Sequence, residues 1–128
     1  MTHKILLLPD RQRQIPASFS WVDHRLIRQN RLRDCEPVAW ALYLFLVTVA
    51  DVQGLSYYSD VSASRTLKID PLQLARARQQ LVRCDLIAYR RPLYQVLALE
   101  DPGTPSSERS GEVQSVADLL KKVMGGAA

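Results

Sequence analysis

Thirteen consecutive residues, Val38–Ala50 (VAWALYLFLVTVA), are apolar except for Thr48, and no other run constrains the fold as tightly. A membrane span needs about 20 such residues, whereas about 10–14 is the length of a buried helix. Glu36 stands before the run, and Asp51, Gln53 and Gly54 close it on the other side. Pro37 near its start and Gly54 beyond its end are helix punctuation. The run therefore predicts a central helix over 37–52, packed on nearly every side, with Trp40, Leu42, Leu44, Phe45 and Val47 largely buried. A chain of 128 residues, 47% hydrophobic and 23% charged, has room for one such core plus tails.

The chemistry of the chain concentrates downstream, in 60–99 (DVSASRTLKIDPLQLARARQQLVRCDLIAYRRPLYQVLAL). It reads as a short helix, a tight turn, a longer helix and a small β-hairpin. Asp60 and Asp70 each stand where an N-cap is wanted, and Pro71 occupies a first helical position where its missing N–H costs nothing. A short strand rich in β-favouring tyrosine, Leu55–Ser59, precedes the pair of helices. Upstream, Ser20–Asp23 looks like a helix start, with Val22, Leu26 and Ile27 at the spacing of one face. The fold class expected is mainly α with a small antiparallel β-sheet, a winged helix-turn-helix. The organisation is an N-terminal arm over 1–18 and a winged-helix domain with an extra N-terminal helix over 19–100. A Pro-, Gly- and Ser-punctuated linker over 101–112 and a short amphipathic helix over 113–124 follow.

Charge points to a partner. The formal net charge is +4, and Arg outnumbers Lys thirteen to four. Arg makes forked contacts with phosphates and guanine edges, whereas Lys offers a point charge. On the longer helix, Leu74, Ala77, Leu81 and, at the edge, Val82 share one side; Gln73, Arg76, Gln79, Gln80 and Arg83 lie opposite. No acid stands between Asp70 and Asp85, where a solvated face would commonly carry Glu. Arg to guanine and Gln to adenine are the bidentate pairs of the major groove, so these five are the expected base readers. Arg65 and Lys68, on the first helix and turn, and Arg90 and Arg91, at the hairpin tip, fit phosphate contacts that set register. Arg78 lies nearer the core side, where an internal ion pair with Asp60 or Asp85 is expected. A second basic cluster, Arg25, Arg28, Arg31 and Arg33, would extend a duplex footprint or form a solvated face.

The pattern Ala63-x-x-x-Leu67-x-Ile69, then Leu74, Leu81 and Leu86-Ile87, resembles the recurrent signature of the winged helix-turn-helix superfamily. That superfamily includes MarR-like and GntR-like repressors and the initiator domains of plasmid and mobile-element replication proteins. The resemblance covers about half the chain and implies a fold more than a function. It has two departures: Lys68 and Asp85 stand where the family usually has glycine in a left-handed backbone. Ser62 also replaces a usually apolar position.

Other function classes have little to work with. The sequence has no Gly-rich phosphate loop, His-x-x-x-His pair or Cys-x-x-Cys, and His3 and His24 are far apart. No catalytic residue, metal site or cofactor is expected. Cys35 and Cys84 form no disulfide framework and are expected to be reduced, in the cytoplasm. Double-stranded DNA is the expected partner, with no membrane involved. Transcriptional, replication or mobile-element regulation follows from that. The alternative is a winged-helix protein–protein interaction module in a larger assembly. The apolar stripe Val113, Val116, Leu119, Leu120 and Val123 needs cover from the chain itself, a second copy or a partner protein.

Overall fold

Residues 3–100 are described by a computed structural model. Four α-helices and three strands follow in the order α1 (Arg25–Arg28), α2 (Pro37–Val49), β1 (Leu55–Tyr57), α3 (Asp60–Leu67), α4 (Pro71–Arg83), β2 (Ile87–Arg90) and β3 (Leu93–Val96). The molecule is mainly helical with a small antiparallel sheet, a winged helix-turn-helix layout. Among the described residues no helix is long and apolar enough to cross a membrane. The linker over 101–112 and the helix expected over 113–124 lie outside the described residues.

α2 starts at Pro37 as its punctuation predicts, but it buries one face instead of its whole circumference. Ala39, Leu42, Tyr43, Leu46 and Val47 are buried, at helical spacing, against α3, α4 and β3. Leu44 is 61% exposed and Trp40 42% exposed, so the expected all-round packing is corrected. The neighbours that α2 meets in this unit cover only part of its circumference. The helix also stops three residues early. Ala50 turns extended, and the Asp51 carboxylate accepts the N–H groups of Gln53 and Leu55 at 2.8 and 2.9 Å. Gly54 then adopts φ +86°, and a Cβ there would lie 2.7 Å from the Val96 carbonyl oxygen. Only glycine meets both demands.

The three strands run in the spatial order β1-β3-β2, both pairings antiparallel, with Leu55 opposite Gln95 and Tyr89 opposite Tyr94. β1 ends at Tyr57, two residues short of the expected strand. The hairpin turns at Arg91-Pro92 through a cis peptide bond, and the Tyr58 N–H reaches the Pro92 carbonyl at 3.1 Å. The core lies where α2, α3 and α4 meet the sheet, built from Leu42, Leu46, Ala63, Leu74, Leu81, Leu86, Ile87 and Tyr94.

Helix ends show which local signals hold. Asp70 and Gln73 form a full capping box: the Gln73 N–H donates to Asp70 Oδ1 at 2.7 Å and the Asp70 N–H to Gln73 Oε1 at 3.0 Å. At α3 the cap is Ser59, whose Oγ accepts the Ser62 N–H at 3.1 Å. Asp60, expected as the cap, is instead the first helical residue, and its carboxylate is drawn away to Arg78. Lys68 ends α3 at φ 59°, and Asp85 follows α4 at φ 64°. Both positions flagged by the missing glycines are thus left-handed. Asn30 does the same after α1 at φ 53°. Each such non-Gly residue costs on the order of 1 kcal/mol, less for Asn and Asp.

α1 is shorter than the expected helix. Asp23 stays outside it and accepts the Arg25 N–H at 2.9 Å, while Val22 and Ile27 are exposed and only Leu26 faces inward. Upstream, the described part of the arm is exposed and irregular apart from a 3₁₀ turn at Pro9–Arg11.

Candidate nucleic-acid interface

α4 is amphipathic because its apolar residues recur every third or fourth position. Leu74, Ala77 and Leu81 face the core, which turns Leu72, Arg76, Gln79 and Arg83 outward along one stripe at i, i+4, i+7 and i+11. The capping box and Pro71 hold the first turn of that stripe in place. Arg65 in the last turn of α3 and Lys68 in the turn are exposed as well.

The five expected readers divide. Arg76, Gln79 and Arg83 are exposed on the stripe. Gln73 is exposed, but its side-chain oxygen is used in the capping box. Gln80 is 7% exposed and its Oε1 accepts the Glu36 N–H at 2.9 Å, which withdraws it from any external ligand. The expectation for Gln80 is therefore corrected: it ties α4 to the start of α2, whose first N–H groups lack helical partners. Glu36 also pairs through its carboxylate with the Arg76 guanidinium. Both side chains of that pair are well exposed, so the pairing is worth about 0–1 kcal/mol and exchanges readily for another anion.

Leu72 is the residue that sequence reasoning missed. At 80% exposed it stands at the N-terminal end of the stripe, four residues before Arg76. Its spacing of four residues from Arg76 is the signal that could have placed it on the stripe.

Arg78 is internal, as its position predicts. Its Nη1 donates to Asp60 Oδ1 and to the Tyr94 hydroxyl, both at 2.9 Å, and its guanidinium carbon lies 4.3 Å from the centre of the Tyr89 ring. Burial works against its charge, but the hydrogen bonds to Tyr94 and Asp60 outweigh that and lift its pKa. This junction joins the first turn of α3, the middle of α4 and the β2–β3 hairpin. Arg90 and Arg91 are exposed at the hairpin tip, which sits by Tyr58 next to that first turn. Arg65 and Lys68 lie toward the far end of α3, about 8 and 12 Å away along the helix axis.

The second basic cluster is engaged locally. The Asp23 carboxylate holds the Arg25 guanidinium through Nε and Nη2, closest at 2.8 Å, and these bonds bring the Asp23 pKa down to about 2. Arg31 donates to Gln29 Oε1 at 2.7 and 3.0 Å, and Arg33 lies 3.7 Å from Asp34. Arg28 is exposed beside an open groove of about 720 Å³, lined by Leu26, Ile27, Trp40, Tyr43 and Leu44 among others.

No protein-family model, curated protein or solved structure matches the chain. Among the described residues, no group of three His, Cys, Asp or Glu side chains is arranged to hold a metal ion. The two cysteines, 49 positions apart, come together: Cys35 Sγ and Cys84 Sγ are 3.4 Å from each other. Burial and the contact with Cys84 push the Cys35 thiol up to about 12, against the opposing charge of Arg83. Sequence spacing carries no sign of this pairing.

Proposed function

We propose that this chain is a sequence-specific double-stranded DNA-binding protein of the winged helix-turn-helix superfamily, a cytoplasmic regulator of transcription, replication or a mobile element. The observation that carries the reading is the exposed stripe Leu72, Arg76, Gln79 and Arg83 on a helix without acids, flanked by Arg65 and Lys68. A helix laid in the major groove would offer Arg76 and Arg83 to guanine, Gln79 to adenine and Leu72 to a thymine methyl group. Eleven residue steps along α4 span about 16 Å, or roughly five base pairs of groove. Arg65, Lys68, Arg90 and Arg91 would neutralise backbone phosphates and set the register. The reading assigns the chain no catalysis and no cofactor.

Titration of mixed-sequence duplex at increasing salt tests it. Roughly 4–6 phosphates neutralised per chain give a log–log slope of about −4 to −5. No binding at about 50 mM salt, or a flat slope, removes the proposal.

A second reading, a protein–protein interaction module, is favoured by one observation. Ile5, Leu7 and Ile15 of the arm, Phe19 and Trp21 after it, and Trp40 and Leu44 of α2 are large apolar side chains left exposed. An apolar contact responds weakly to salt, so the same titration separates the two readings.

A further inference from the structure

Two half-buried thiols in van der Waals contact, on elements distant in sequence, are a chemical site in their own right. Cys35 sits immediately before Glu36 at the start of α2, and Cys84 is the residue that ends α4. Their sulfurs are 3.4 Å apart, about 1.4 Å longer than a disulfide bond. The backbone around them is already fixed. The Glu36 N–H bonds Gln80, and the Cys84 N–H bonds the Gln80 carbonyl at 3.0 Å, so Gln80 anchors both cysteine-bearing segments. Neither cysteine has another cysteine to pair with in the chain, which contains two.

We infer that Cys35 and Cys84 are a reversible dithiol–disulfide site that staples the start of α2 to the end of α4 on reaction with a hydroperoxide. The pair is symmetric in its contact, so either sulfur can make the first attack. The attacking thiol gives up its proton and takes the terminal oxygen of the hydroperoxide, becoming a sulfenic acid; the released proton goes to the leaving oxygen, giving an alcohol, or water when the oxidant is hydrogen peroxide. The second cysteine sulfur then attacks the sulfenic sulfur; the S–S bond forms, and the second thiol's proton leaves with the departing hydroxide as water. Two thiols are oxidised by two electrons and one O–O bond is reduced. Disulfides of reducing compartments are commonly transient and redox-sensing, and a half-exposed, preformed pair suits that use.

The full chain treated with hydrogen peroxide, then freed of it, tests the site. Titratable thiols should fall from two to none, the mass should drop by two hydrogens, and the product should run as a single chain without reductant. Dithiothreitol should restore both thiols. Closing a loop of 49 positions should raise Tm by about 10 °C over the reduced chain. Cys84→Ser, melted before and after the same treatment, should show no such rise. Retained thiols, mass gained as oxygen, disulfide-linked dimers or an unchanged Tm would each overturn the inference.

Discussion

At the scale of single residues, contacts across the fold decide what a side chain is for. Asp23 spends its carboxylate on Arg25, and a ¹³C-detected NMR titration should place its pKa near 2 against an ordinary 3.8. Because the folded value lies below the unfolded one, the contact stabilises the fold above pH ~4 and is lost as pH falls toward 2. Arg25→Ala should return the titration toward the ordinary value. Burial makes a sharper pair of expectations on α2. Leu42 is fully buried, so Leu42→Asp leaves an unpaired charge in the core and should abolish the far-ultraviolet helical signal. Leu44 is exposed, so Leu44→Asp should stay folded and shift stability by no more than about 0.5 kcal/mol. Neither outcome is readable from a run in which almost every residue is apolar, because such a run has no period to point a face. Gln79 and Gln80 are equally ambiguous on paper. Only the Glu36 N–H, 44 positions away, turns one inward and leaves the other on the stripe.

At the scale of elements, the legible features are those whose causes are local. The Asp70–Gln73 capping box, Pro71 at the first position of α4 and its apolar face all follow from residues within a turn or two of each other. The less legible ends have partners elsewhere: Arg78 takes Asp60 out of the cap, and the Asp51 turn ends α2 before the apolar run is used up. The left-handed positions were visible as missing glycines, and they carry a consequence for stability. Lys68→Gly relieves a strained backbone at the end of α3 and should raise stability by about 0.5–1 kcal/mol in urea denaturation. If Lys68 meets a phosphate, the same substitution should weaken duplex binding and shrink the salt slope by about 1. A more stable protein that binds DNA less well would locate the cost of that lysine in the fold and its benefit in the complex. Unchanged binding would remove Lys68 from the interface.

At the scale of the whole molecule, the proposed function assigns reading and holding to different elements. Arg76→Ala or Arg83→Ala should lower specific binding by about 1–3 kcal/mol and relax preference at particular base pairs. Joint Arg90→Ala and Arg91→Ala should weaken all duplexes alike. Selection of preferred sites from random duplexes, repeated for each variant, distinguishes these outcomes. If the Arg76 and Arg83 variants keep the parent's site and affinity, α4 is not the reader and the protein-interaction reading takes its place. The Arg78 junction bears on how such a complex would tolerate change. One guanidinium touches α3, the hairpin and, through its own backbone, α4, which would link the hairpin tip and the outward stripe like the two jaws of a calliper. A duplex gripped by both jaws would have to present its phosphates in one phase relative to the bases being read. Inserting a single base pair between the two contacts should then weaken one of them, unless the Arg78 contacts give way to let the hairpin follow.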